Sequence, residues 1–226
     1  NTFEFLGSSG NLVINGDYST NITGATDTLT RVDFSGVSGN DNTITFNGGT
    51  LQVTQSSNGM GDSITAAAVT LSGGTLGLLN DGAGNNGTII YGSTSNTGGY
   101  NATVSGAATI NVDQLTANTG NTVQLGNLTI SNTLNVTGAH GYNLTFAGSA
   151  SAVTTSSTLN PTSASLTITG PVALTAGQTL TLSGSATGNS IGVINSTTGL
   201  LTKLGTSTWT LNGANTYTGT TSINQG

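Results

Sequence analysis

Toward the end of this chain, Leu201, Leu204, Trp209, Leu211, Tyr217 and Ile223 fall singly or in alternation with Thr, and Gly and Asn stand between the short strands they mark. Short strand signals, most of them setting two apolar residues around a polar or small one, recur from end to end, at 12–14, 44–46, 51–53, 69–71, 88–91, 109–112, 122–125, 128–130, 134–136 and 144–146. They continue at 166–168, 172–174, 180–182, 192–194, 209–211 and 221–223. A period of two places one face of each segment inward, which is the signature of a half-buried strand. Many of these strands stand about six to ten residues apart, too close for a helical crossover between parallel neighbours. The pattern therefore predicts an all-β chain without helices.

Two all-β architectures fit such spacing: an antiparallel sandwich or barrel, and a parallel solenoid. Antiparallel hairpins favour strands of about five or six residues, and most strands here read shorter. Three short strands per coil of roughly 20 to 25 residues would let each strand pair with the one above it, about 4.8 Å away. We therefore expect one right-handed parallel β-helix, a β-solenoid domain spanning 1–226. It would have about nine or ten coils and a length of roughly 45 Å. The less regular, more acidic residues 1–38 are the expected N-terminal cap.

The strongest local signal lies near the end. From Leu200 the chain reads LLTKLGTSTWTLNGANTYTGTTSINQG, with Gly205, Asn212-Gly213, Asn215 and Gly219 between its strands. Leu201, Thr202, Lys203, Gly205, Thr208, Leu211, Gly213, Asn215, Thr216, Tyr217, Thr218, Gly219, Thr221, Ile223 and Gly226 follow one pattern. That pattern resembles the autotransporter-associated β-strand repeat of surface proteins that Gram-negative bacteria export through an outer-membrane barrel. Ser207 and Trp209 depart from it, standing where the family has Gly and Leu. The resemblance covers 200–226 clearly and the remainder only by pattern. It implies a passenger segment, exported and displayed outside a bacterial cell, and a protein poor in Cys; this chain has none.

Charged residues make up 4% of the chain, against about a quarter in ordinary soluble domains. Thr, Ser, Asn and Gly must wet the surface instead, and neutral groups oppose self-association only weakly. The two cations are Arg31 and Lys203, so no basic patch exists for a nucleic acid or an anionic membrane surface. Glu4, Asp17, Asp27, Asp33, Asp41 and Asp62 lie in the first third, then Asp81 and Asp113, and no acid follows. No stretch of about 18 apolar residues is present to span a bilayer, so this segment is not expected to insert in a membrane. The opening at Asn1 and the stop at Gly226 on a repeat boundary read as a piece of something longer.

Candidate chemistry is sparse. Gly61-Asp62-Ser63-Ile64 resembles the opening block of GDSL esterases, with Ser63 as nucleophile, but His140 is the only His and is not in that family's Asp-x-x-His setting. It reads as a turn, and His140 within GAHGY as a polar turn residue. Solenoid hydrolases need a carboxylate pair; Asp27 with Asp33, or Asp33 with Asp41, could approach across coils, but no second signal supports them. Asn58–Asp62 and Asn80–Asn85 faintly resemble Gly/Asp calcium turns, each with one carboxylate, and ordinary turns are preferred. Seven Asn-x-Ser/Thr triplets, beginning at Asn21, Asn86, Asn101, Asn127, Asn135, Asn143 and Asn195, are what an Asn- and Thr-rich chain produces by chance. The scattered aromatics Tyr91, Tyr100, Tyr142, Trp209 and Tyr217 read as core or corner fillers. Thr-x-Thr segments at 167–169, 179–181 and 208–210 are unevenly spaced for a flat lattice-binding face.

No catalytic, cofactor-binding or metal residue is therefore assigned, and no cofactor. The expected function is a non-catalytic adhesive or self-associating stalk, its partners being copies of itself or a host, matrix or glycan surface. A filament or sheath subunit is the alternative, and a polysaccharide-cleaving solenoid the less favoured one. Binding would reside in turn-rich breaks at 55–62, 80–87, 92–100 and 149–165.

Overall fold

In the computed structural model, residues 68–92 and 98–226 are described, preceded by the backbone of six strands between Thr2 and Val53. The described residues hold 25 strands and no helix. They form three parallel sheets of nine, ten and six strands. From Ala68 to Leu211 successive strands visit the three sheets in rotation, so a strand's partner is the one a full coil earlier or later. The chain is a parallel β-solenoid.

Alternation decides which residues face the interior. Along Ala108–Asp113, Thr122–Leu125 and Asn143–Phe146, buried and half-buried positions alternate without a break. Register then stacks the buried residues into files. In the first sheet Val69, Ala102 and Leu128 are vertical neighbours, as are Leu71, Val104 and Ile130. In the third, Leu125, Phe146, Ile168, Ile191 and Leu211 follow one another. All of these but the half-buried Leu211 leave water almost entirely, and full burial of a Leu or Ile stabilises by about 1.5–3 kcal/mol. The files merge into one continuous core from Val69 to Leu201.

Three polar residues occupy positions in these apolar files, and each is hydrogen-bonded. Asn189 stands above Leu166 and below Trp209; its Oδ1 accepts from Leu166 N (2.9 Å) and its Nδ2 donates to the carbonyls of Ala186 and Thr208. Ser151 Oγ accepts from Leu128 N (3.0 Å), and Ser157 Oγ donates to Thr155 O (2.8 Å). Buried polar atoms satisfied in this way escape the desolvation penalty that unpaired ones carry.

Coil length changes along the stack. Ser72 touches Ser105, 33 residues on; Asn101 contacts Asn127 at a step of 26; Asn143 meets Ser165 at 22; Gly188 and Thr208 are separated by 20. The strands stay in line because corners absorb the difference. Thr133, Thr158, Thr181 and Thr202 lie one above another although their separations in sequence differ.

Among the described residues, complete three-sided coils are fewer than the nine or ten expected. The third sheet has, among the described residues, six strands, the first of them Thr88–Ile90, and hence five steps. Even division of the chain ignored the wide coils between Ser72 and Asn127, whose steps are 33 and 26 residues. Residues 149–165 are not a loop either, since strands Ser151–Val153 and Ser157–Pro161 run through them. Inward Ser151, Ser157 and Pro161 weakened the apolar alternation there. Of the segment expected at 192–194, Gly192 and Val193 form a corner between strands Asn189–Ile191 and Ile194–Asn195. Strands Thr75–Leu79 and Asn101–Val104 carried no separate sequence signal.

The corner leading from the third sheet to the first is built on stacked backbone. Gly148 N donates to Gly126 O at 3.0 Å, and a Cβ on Gly170 would sit 2.1 Å from Gly148 O. A side chain at that position displaces main chain, which cannot rotate aside. Gly170→Ala is expected to cost about 1–3 kcal/mol, as overpacking does. Gly84→Ala, where nothing lies within 4 Å, is expected to stay within about 0.5 kcal/mol. Denaturant and thermal melts of the two variants check this; equal stabilities would contradict the corner's geometry.

Candidate functional site

The widest coils leave the stack at the corner between the second and third sheets, where residues 80–87 lie against 114–121 of the next coil. One side chain clamps them. Asp81 Oδ1 accepts from the backbone N–H groups of Leu115, Thr116 and Ala117 at 2.8, 2.9 and 2.9 Å, and Oδ2 accepts from the Thr116 hydroxyl at 2.6 Å. The Asp81 carbonyl accepts from Asn118 Nδ2 and Asn121 Nδ2 (2.8 and 2.9 Å), and Asn85 Oδ1 accepts from Thr119 N (2.8 Å). The Thr116 hydroxyl and the backbone N–H groups favour the ionised carboxylate over the opposing effect of desolvation, and lower the Asp81 pKa to about 2.

Beneath the clamp lies a polar relay. Asn121 is fully buried; its Oδ1 accepts from Gly87 N at 2.7 Å and its Nδ2 donates to Tyr142 Oη at 3.0 Å. Tyr142 in turn donates to Asn80 O at 2.7 Å, so three successive coils are tied together. Burial raises the Tyr142 pKa. Tyr91 and Tyr100 lie wholly in the core, which fills the wide coils, and burial pushes the Tyr91 phenol up as well. On the outside His140 takes a left-handed turn conformation (φ 50°), and its Nδ1 lies 2.7 Å from Asp113 Oδ1.

These distances decide between readings of the motifs. Asp81 stands in the turn compared with a calcium loop, but both carboxylate oxygens already accept protein donors, so the turn serves as a clamp between coils. Among the described residues no three His, Cys, Asp or Glu side chains gather at one place. Of the asparagines in glycan-type triplets, Asn101 and Asn127 instead accept from Asn127 N and Ala150 N across coils (2.8 and 2.7 Å), and Asn160 donates to Asn135 (2.7 Å). Ser63, the carboxylates before Asp81, the turn at 58–62 and the loop at 55–62 lie outside the residues whose side chains are described, as does most of 92–100.

At the last coils a groove of about 340 Å³ opens between Leu182, Leu201, Lys203, Trp209, Leu211 and Ile223. Lys203 occupies an inward file after Leu159 and Leu182, and its ammonium donates to the carbonyls of Leu204, Gly205 and Gln225 at 2.7, 2.8 and 3.3 Å. The two departures from the repeat pattern meet at one atom. Ser207 Oγ and Trp209 Nε1 both donate to Ser183 O, at 2.8 and 3.1 Å. That pairing was not legible in the sequence, where the two looked like independent substitutions.

The strands Leu200–Lys203 and Thr221–Ile223 pair in parallel, so the stretch between them winds one full coil. A family model, the passenger-associated-transport repeat, matches residues 201–226. This coil is similar to an autotransporter passenger repeat. Neither a curated protein nor a solved structure matches the chain. The repeat's Gly and Asn positions are thereby explained: Asn215 Oδ1 accepts from Ile194 N at 2.8 Å, and a Cβ on Gly219 would lie 2.2 Å from Gly199 O.

The clamp makes stability depend on acid. Asp81 is held at about 2 when folded and has an ordinary value of 3.8, so its contribution is complete above about pH 4 and disappears as pH falls through 2. Asp81→Asn keeps a carbonyl acceptor but removes the titration. Melts between pH 5 and 2 are expected to show a steeper acid loss in the parent chain than in Asp81→Asn. Parallel curves would refute the assignment.

Proposed function

We propose that this chain is a non-enzymatic passenger segment of an autotransporter-like surface protein, a stalk that adheres to surfaces or to copies of itself outside the bacterial cell. The observation that carries the reading is the coil at 201–226, which is both a passenger-associated-transport repeat and an integral turn of the solenoid. Export is what such a repeat implies. Stacked coils hold loops at fixed heights along the axis, and the clamped loops around Asp81 are the best-defined projection.

Surface chemistry supports self-association. No acid follows Asp113 in the sequence, and Lys203, the one cation of that half, has its ammonium engaged by carbonyls. Faces that carry hydroxyls and amides repel one another little. Attraction without charge also resists screening, so clumping should persist when salt shortens the Debye length to about 3 Å at 1 M.

Display of the chain on a non-adherent bacterium tests this. We expect faster settling and retention on glycan- or matrix-coated plates, little altered by salt. A chain that stays monomeric and binds no cell, glycan or matrix would defeat the adhesive reading. Release of reducing ends from a panel of polysaccharides would instead favour an enzyme.

A further inference from the structure

We propose that Asn212-Gly213 is a site of spontaneous deamidation in the folded protein, and that Asn86-Gly87 is protected from the same reaction by the fold. The proposal is independent of the adhesive reading. An Asn-Gly step reacts when the glycine's amide nitrogen, losing its proton to solvent base, attacks the side-chain carbonyl carbon of Asn. The new C–N bond closes a five-membered succinimide and ammonia leaves with the side-chain nitrogen. Water then opens the ring at either carbonyl, giving Asp or isoAsp. No oxidant or second enzyme is required, only an accessible side-chain amide and an unengaged glycine N–H.

The two described Asn-Gly steps share the dipeptide and the exposure but differ in that N–H. Asn212 and Gly213 are both exposed. The Asn212 backbone N–H donates to Ile191 O at 2.9 Å, while neither its side-chain amide nor the Gly213 N–H makes a hydrogen bond among the described residues. Asn86 and Gly87 are also exposed, yet Gly87 N donates to the buried Asn121 Oδ1 at 2.7 Å. Attack by that nitrogen would require breaking this bond first. The fold also dictates the labile step: Gly213 has φ 70°, and a Cβ there would lie 2.6 Å from Val193 Cγ2. A larger residue, which would shield the nitrogen, is disfavoured at this corner.

Reaction would place a carboxylate in a stretch that has none, making the net charge one unit more negative than −6. In the isoAsp product the main chain lengthens between strand Trp209–Leu211 and Asn215, whose Oδ1 holds Ile194 N. The last coil would loosen next to Trp209.

The test is peptide mapping by mass spectrometry after incubation of the whole chain at mildly alkaline pH, with a parallel sample in denaturant. Mapping by position separates these steps from Asn15-Gly16, Asn47-Gly48 and Asn58-Gly59, which lie outside the described residues. We expect Asn212 to lose its amide in the folded chain at least about tenfold faster than Asn86, the factor one retained hydrogen bond supplies, and both to react at similar rates when unfolded. Asn121→Ala, checked for folding by circular dichroism, should raise the Asn86 rate and leave Asn212 unchanged. An Asn212 that reacts only in denaturant would overturn the site. Equal folded-state rates, or an Asn86 rate unmoved in folded Asn121→Ala, would overturn the protection.

Discussion

Every feature of this protein rests on the parallel ladder that pairs each strand with its counterpart one coil away. Backbone groups that would be orphaned on a short isolated strand find partners above and below, and residue is set over like residue for most of the length. Because that pairing is longitudinal, three or four residues suffice for a strand. Apolar files follow from the ladder, since a side chain facing inward in one coil faces inward in the next.

Where charge would normally supply solubility and local specificity, this chain uses amides and hydroxyls. Parallel sheets usually have both faces covered; here the outer faces carry Thr and Asn and meet water. Amide side chains also do the joining between coils: Asn101, Asn127, Asn143, Asn189 and Asn215 each accept from a backbone N–H of a neighbouring coil. Asp81 does the same with a full charge, and gains from it, because three N–H dipoles converge on one oxygen.

Much of the architecture was legible in the residues. The strands Thr122–Leu125, Leu128–Ile130, Leu166–Ile168, Val172–Leu174, Trp209–Leu211 and Thr221–Ile223 coincide with their apolar-polar alternation. The repeat at the end was readable because Gly and Asn there answer to tight backbone approaches rather than to packing, and such demands tolerate few residue types. The 149–165 segment was misjudged because the inward Ser151, Ser157 and Pro161 lack the apolar mark, and the coil count because coils of unequal length leave no local mark in the sequence. The partnership of Ser207 and Trp209 depends on a carbonyl of the previous coil, and no local pattern encodes which coil lies underneath. The polar relay through Asn121 was hidden likewise, with Tyr142 and Asn80 62 residues apart.

The step between coils falls from 33 residues near Ser72 to 20 near Thr208. Coils of unequal length are not interchangeable. Three tyrosines fill the broad region, and a slender coil inserted there would leave them facing empty space. Growth of such a mast by duplicating one of its own turns is therefore a one-ended process, workable where adjacent turns already match in length and hindered where their corners differ.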